Sequence, residues 1–155
     1  APGSVTIETM LTATGDIDVP VSFGFHPYLG IDGPREDWLI ELPKMRHLAL
    51  DQRQIPTGEA EPFPGLNGPL GTRSFDDGFA LIEPTASLSV AHGEHKVSVD
   101  LLDGYTHTQI YAPPDKNFIA FEPMTAPANA LISKDGLRLV PQGGSFSATF
   151  RIRVA

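Results

Sequence analysis

The chain is predicted to be all-β, with short antiparallel strands folded as a sandwich. Three observations carry that expectation. Apolar and polar residues alternate through several short stretches, the period of a strand with one buried face. Fifteen glycines and fifteen prolines suit many tight turns between such strands. No stretch keeps an apolar face at helical spacing, and there is no internal repeat or low-complexity tract. With 155 residues the chain can bury one sizeable core, so residues 1–155 are taken as a single domain.

The first strand runs from Ser4 to Thr12, with Val5, Ile7 and Leu11 on one face and Thr6, Glu8 and Thr12 largely on the other. Thr14-Gly15-Asp16 makes a turn. Val19-Pro20-Val21 restarts an extended segment that leads into Phe23-Gly24-Phe25-His26-Pro27-Tyr28-Leu29-Gly30. There the proline after His26 restricts the histidine backbone to the extended region. After a turn at Asp32-Gly33-Pro34, Trp38, Ile40 and Leu42 alternate with polar or outward residues until Pro43 ends the strand. From Asp51 to Arg73 the chain is rich in Pro and Gly and has no sustained period. It reads as a long surface loop anchored by Ile55, Phe63 and Leu66, and loops of that length are commonly functional.

That loop delivers Phe75-Asp76-Asp77-Gly78-Phe79, two acids between aromatics. Leu88 and Val90, then Val97, Val99 and Leu101, form two alternating strands around a hairpin turn at His92-Gly93-Glu94-His95. A further strand spans Thr106 to Tyr111, and Pro113-Pro114-Asp115 turns the chain. In Phe118-Ile119-Ala120-Phe121-Glu122-Pro123 four apolar residues run into a carboxylate. The proline is expected to stop ladder pairing there, leaving Glu122 at the rim of a sheet. After Leu137 and Leu139, Gln142-Gly143-Gly144 turns into the last strand, where Phe146, Ala148, Phe150, Ile152 and Val154 share one face of a half-buried edge.

Composition excludes several function classes. A formal charge of −8 and a pI near 4.9 argue against nucleic acid or an anionic membrane surface as partner. Without cysteine there is no disulfide framework, thiolate nucleophile or thiolate metal site. No apolar run approaches the roughly 20 residues that span a bilayer, and no basic-then-apolar signal segment is present. The reading is of a soluble, cytoplasmic protein.

Few residues are left to carry chemistry. His92-x-Glu94-His95 is the one local candidate for a metal site, but side chains on a hairpin tip are mobile and solvated. There is no hydrolase elbow, P-loop or dinucleotide fingerprint. His47 and His107 lie in strand-like segments without acidic neighbours in sequence and read as packing residues. Glu122 is either an ordinary rim acid, solvated or paired, or a carboxyl partly stripped of water by Phe121 and Met124. In the second case its pKa rises toward the range useful for proton transfer at neutral pH. His26 is either a structural histidine or its partner, and with 96 positions between them only the fold can decide.

Together these motifs resemble one family. Phe25-His26-Pro27-Tyr28-Leu29 is similar to the H-P-Y-F signature of the aldose 1-epimerases, the galactose mutarotases. Asp76-Asp77-Gly78-Phe79 resembles their D-x-x-F, and Phe121-Glu122-Pro123-Met124-Thr125-Ala126 resembles the strand that carries their catalytic base. Pro56-Thr57-Gly58 fits their P-T-G, and the order and spacing agree along nearly the whole chain. The resemblance implies a sandwich of the galactose-mutarotase type and interconversion of the α and β anomers of a free hexose. It implies Glu122 as general base, His26 as general acid on the opposite side of the sugar, and Asp76 as the acid that binds hydroxyls, with Asp77 next in register. It implies no metal and no organic cofactor.

Family members are roughly twice this length, and the resemblance covers their C-terminal half. Their N-R motif and second active-site histidine have no counterpart here. The chain also begins at Ala1 and enters a strand pattern at once. The expectation is therefore an incomplete sandwich with unpaired edges, completed by an N-terminal segment or by self-association. A non-catalytic carbohydrate-binding module on the same fold is the alternative function, and a purely structural sandwich is a weaker third.

Overall fold

The computed structural model describes residues 3–155. In chain order the strands are β1 (Gly3–Thr12), β2 (Val19–Val21), β3 (Tyr28–Leu29), β4 (Leu39–Leu42), β5 (Met45–Leu50), β6 (Pro56–Phe63) and β7 (Leu66–Pro69). They continue with β8 (Phe75–Leu81), β9 (Ala86–His92), β10 (His95–Asp103), β11 (His107–Ala112), β12 (Ile119–Met124), β13 (Arg138–Val140) and β14 (Ser145–Val154). Among the described residues, helix is confined to a 3-10 turn at Arg35–Asp37 and a single α-helical turn, α1 (Ala130–Ser133). No helix among the described residues is long and apolar enough to cross a membrane.

Two six-stranded antiparallel sheets carry the architecture. The first has the order β1-β14-β10-β9-β4-β7 and the second β3-β12-β11-β8-β5-β6, while β13 pairs with β2 in a small third sheet. One hydrophobic cluster takes Ile40, Val90, Val99 and Phe150 from the first sheet and Phe79, Ile110 and Phe121 from the second. The two sheets therefore face each other across one core. Alternation along each strand produces this layering: in β11, Thr108, Ile110 and Ala112 are buried while His107, Gln109 and Tyr111 face outward. Fully burying a side chain such as Ile110 or Phe121 contributes about 1.5–3 kcal/mol.

Four expectations about elements are corrected. Residues 51–73 are not one surface loop, because β6 and β7 lie within them. Both are outermost strands, so neither shows clean alternation, and their prolines and glycines imitate loop composition. The strand β5 appears in the sequence reading only as the strand-like surroundings of His47, without bounds. Pro123 does not end β12: it pairs with Thr108, and the ladder continues to Met124. Its carbonyl accepts the Phe25 N–H at 3.1 Å, so its missing N–H falls on the side away from β11, where no ladder bond is lost. Finally, β14 is not an edge strand. It lies between β1 and β10, and its inward face bears out the burial of Phe146 (8%) and Phe150 (2%), with Ile152 half-buried.

Arg35 sets where β8 begins. Its guanidinium is buried and donates to the carbonyls of Gly71 (3.1 Å), Arg73 (2.8 Å) and Ala112 (3.1 Å). These bonds tie the segment after β7 to the end of β11, so Asp76 enters the second sheet in a fixed register.

Candidate active site

The outward face of the second sheet assembles the site through strand register. Glu122 of β12 lies opposite Gln109 of β11, which lies opposite Gly78 of β8. On one side of that row runs another, Asp76, Tyr111, Ala120 and Tyr28. On the other side Ala80, His107 and Met124 continue the pattern. Gly78 has no side chain, and this leaves a hollow in the middle. A Cβ there would come within 3.1 Å of Gln109 Oε1 and 3.3 Å of Leu48 Cδ1. The result is a cavity of ≈ 220 Å³ with Asp76, Gln109, Glu122, Leu48, Met124 and His107 in its wall. The β5–β6 turn (Gln54, Pro56) and the segment after β12 (Pro127, Ala128) enclose it.

His26 reaches Glu122 through a tight local scaffold. Thr125 clamps the chain at Phe23: the Phe23 N–H donates to Thr125 Oγ1 at 3.0 Å, and the Thr125 N–H donates to the Phe23 carbonyl at 2.9 Å. Gly24 bridges to Met124, where a Cβ would sit 2.7 Å from the Pro123 carbonyl oxygen. Only glycine allows that approach. The chain then presents the His26 ring stacked on Tyr28 (centroids 4.5 Å apart, interplanar angle 30°) and edge-on to Tyr111 at 6.0 Å. His26 Nε2 lies 3.1 Å from Glu122 Oε1.

Electrostatics single out Glu122. Burial raises its pKa, and the nearby Asp76 carboxylate raises it further, to about 7. Its side chain keeps 13% of its exposure, against 44% for His26. Such a carboxyl is half ionised near neutral pH and therefore poised for proton transfer. Asp76 accepts a hydrogen bond from Gln109 Nε2 at 3.0 Å, which orients it on the cavity wall.

Asp76 and Asp77 separate by strand alternation. Asp76 faces the cavity, whereas Asp77 turns to the other face, where its Oδ1 lies 2.8 Å from His47 Nε2 and its Oδ2 accepts the Asp76 N–H at 3.1 Å. His47 thus has an acidic partner, contrary to its reading as a packing residue. That partner comes from the adjacent strand, which local sequence does not reveal. His107 is likewise more than packing, since it lines the cavity. Burial holds its pKa below the usual histidine value, and its Nδ1 lies 2.9 Å from Thr106 Oγ1.

His26 meets Glu122, and Glu122 shares the cavity wall with Asp76, whose charge acts on it. One detail differs from the sequence reading. His26 and Glu122 touch directly, rather than standing on opposite sides of a sugar-sized gap. Sequence reasoning missed Gln109, Gly78, Tyr111 and Tyr28. The alternation of His107, Gln109 and Tyr111 against an apolar inner face was the available signal for two of them. Among the described residues no group of three or more His, Asp or Glu is arranged to hold a metal ion. His92 and His95 close the β9–β10 hairpin, with Gly93 at positive φ between them.

Comparison with known proteins gives a consistent result. The family model described as aldose 1-epimerase matches residues 2–153. No curated protein matches the sequence. A galactose mutarotase-like protein from Clostridium acetobutylicum superposes with a TM-score of 0.82 at 16% identity, covering 97% of this chain and 52% of that one. A protein from Synechocystis sp. PCC 6803 gives 0.77 at 27% identity, covering 98% and 50%. The GalM/aldose epimerase homologue from C. elegans gives 0.74 at 15% identity, covering 98% and 56%. At 16% and 15% identity the likeness is one of fold. The chain spans about half the length of these solved structures.

Proposed function

We propose, from the premise that the chain belongs to the aldose 1-epimerase family, that it interconverts the α and β anomers of a free hexose by acid–base ring opening and reclosure. The observation that carries this reading is the contact between Glu122 and His26 at 3.1 Å, with Glu122 titrating at about 7 on the wall of a small cavity. The anomeric carbon bears both the hydroxyl and the ring oxygen. An acid and a base that serve these two atoms must stand side by side, so a touching pair suits the task better than a pair across the ring.

Glu122 accepts the anomeric hydroxyl proton as the C1–O1 bond becomes a carbonyl. The C1–O5 bond breaks, and His26 gives its proton to the departing ring oxygen. Rotation about C1–C2 turns the aldehyde, and attack by the ring hydroxyl on the other face returns both protons to their donors. No oxidant or cofactor enters this balance. Asp76, held by Gln109, accepts hydrogen bonds from sugar hydroxyls, and Tyr28 and Tyr111 fix the His26 ring.

A positioned acid or base is typically worth about 10²–10⁴ in rate. Glu122→Gln keeps the carboxylate's shape but cannot take the proton. Polarimetry of freshly dissolved α-glucose or α-galactose, corrected for the spontaneous reaction, should show at least about a 10²-fold loss in the variant, and His26→Asn should also cost heavily. A carbohydrate-binding module is the second reading, favoured by the chain spanning about half of the structures it matches. Under that reading Glu122→Gln leaves the optical-rotation decay unchanged.

A further inference from the structure

The ladder between β5 and β8 stops early. Met45, Arg46 and His47 pair with Leu81, Ala80 and Phe79, and the pairing ends there. Both strands then contribute to the cavity wall, Leu48 and Leu50 from β5 and Asp76 and Gly78 from β8. Between Phe75 and Gly78, β8 is held by β11 on one edge and, among the described residues, by no ladder on the other. Backbone donors on that second edge need partners from elsewhere. One side-chain pair supplies a partner. Asp77 Oδ2 accepts the Asp76 N–H at 3.1 Å, where a strand carbonyl would otherwise stand, and Asp77 Oδ1 accepts from His47 Nε2 at 2.8 Å. A carboxylate only accepts, so Nε2 carries its proton whether the ring is neutral or charged. The contact therefore persists on both sides of the ring's titration. The His47 ring lies against buried Phe79, with centroids 5.1 Å and planes 30° apart, and Glu61 of β6 is the acid paired with His47 across the strands.

We infer that His47 is a positioning residue for the site: through Asp77 it fixes the backbone of β8 where β5 and β8 part, and so keeps the Asp76 carboxylate on the cavity wall with Glu122. The inference rests on the anomerisation reading only for what it predicts of turnover. The side chains of His47 and Asp77 are 42% and 31% exposed, and a pair so open to water adds little to stability. Its consequence is geometric. Asp76 has one anchor on each side of the strand, Gln109 on its carboxylate and Asp77 on its N–H. Without the second anchor the start of β8 is free to move away from the wall, and the Asp76 charge moves with it. The titratable side chains that touch Glu122 or share this wall are His26, Asp76 and His107. His47 is not among them, so it reaches Glu122 through Asp76.

The test follows the Glu122 carboxyl by NMR titration, which needs neither sugar nor turnover, in the native chain, His47→Leu and His47→Gln. Leucine removes the donor, and the glutamine amide restores an N–H near the place of Nε2. Asp76 pushes the Glu122 midpoint up to about 7, so His47→Leu should move it toward acid and His47→Gln should return it. Added to Asp76→Asn, His47→Leu should move it no further, because both changes remove the same influence. In polarimetry with galactose, His47→Leu should raise KM about tenfold, as for the loss of one charge-assisted hydrogen bond, with kcat little changed above the Glu122 titration. An unmoved midpoint in folded His47→Leu, or an equal shift in the Asp76→Asn background, overturns the inference. Should circular dichroism show the leucine variant unfolded, Asp77→Asn takes its place, since its amide offers one acceptor atom where the carboxylate offers two, and the same outcomes decide. If the native chain does not accelerate the rotation, the anomerisation reading fails, and the titration still decides the role of His47.

Discussion

Glu122 titrates at about 7 in the folded protein against an ordinary 4.5, so between those values the native state holds more protons than the unfolded one. Stability must then fall as pH rises through that window, being fully present below 4.5 and lost above about 7. The same ionisation creates the base, so the anomerisation rate should climb as pH rises through about 7. Glu122→Gln separates the two effects. Thermal unfolding measured at several pH values should show a shallower decline for the variant, which becomes the more stable protein above pH 7 while losing activity. Parallel curves for variant and native protein would remove desolvation as the cause of the shift. Part of that environment was legible in the sequence, because Met124 lies two positions on along β12 and shares the cavity wall with Glu122, whereas Phe121, also invoked from the sequence, pairs with Ile110 on the inner face. The pairing of His47 with Asp77 was not, because it depends on β5 lying beside β8, with 30 positions between the two residues.

Strands that face the core announced themselves by alternation, as in β9, β10 and β14. The last two strands of the second sheet did not: β6, its edge, was read as loop, and β5 only as the strand-like surroundings of His47. The site depends on them, since Leu48, Leu50 and Pro56 wall the cavity. Within β8 the decisive position is Gly78, where the absence of a side chain opens the hollow. Gly78→Val keeps strand propensity, but its branches must occupy space that Gln109 Oε1 and Leu48 Cδ1 already bound at 3.1 and 3.3 Å from the Cβ position. Galactose affinity measured by calorimetry should drop at least about tenfold, the effect of losing some 1.4 kcal/mol, with the β-sheet spectrum retained. Unchanged affinity would place the sugar elsewhere. Asp76→Asn should likewise weaken binding more than folding, since the acid faces the cavity and its one side-chain partner among the described residues is Gln109. Denaturant unfolding run beside the binding titration distinguishes these two losses.

The whole molecule is unevenly covered. Along β1 the row that continues toward the core is Val5, Ile7, Thr9 and Leu11, yet Val5 is 62% and Leu11 39% exposed, and only Ile7 packs against the core. Phe25 packs on Phe150 of β14 at 5.1 Å, so the second layer ends over β14 and leaves β1 without a facing sheet. An outermost strand of ten residues with exposed apolar side chains is a template for another chain. The chain spans about half of its structural relatives, and a strand from a second copy or from a companion segment would fill this flank. The segment that carries His26 runs from Phe25, packed on β14, to β3 at the edge of the second sheet, and Tyr28 and His26 are exposed there, at 60% and 44%, so a partner on this flank is expected to change activity as well as mass. Two measurements test this together. Sedimentation of the native chain should give a mass above its 16.7 kDa, and Val5→Lys with Leu11→Lys should return it to monomer without loss of sheet signal. Optical-rotation decay per chain should rise with protein concentration in the native form and stay flat and low in the double variant. A native chain that sediments as a tight monomer at all concentrations, with the same activity per chain throughout, would show that the flank serves no partner and that the site is complete as it stands.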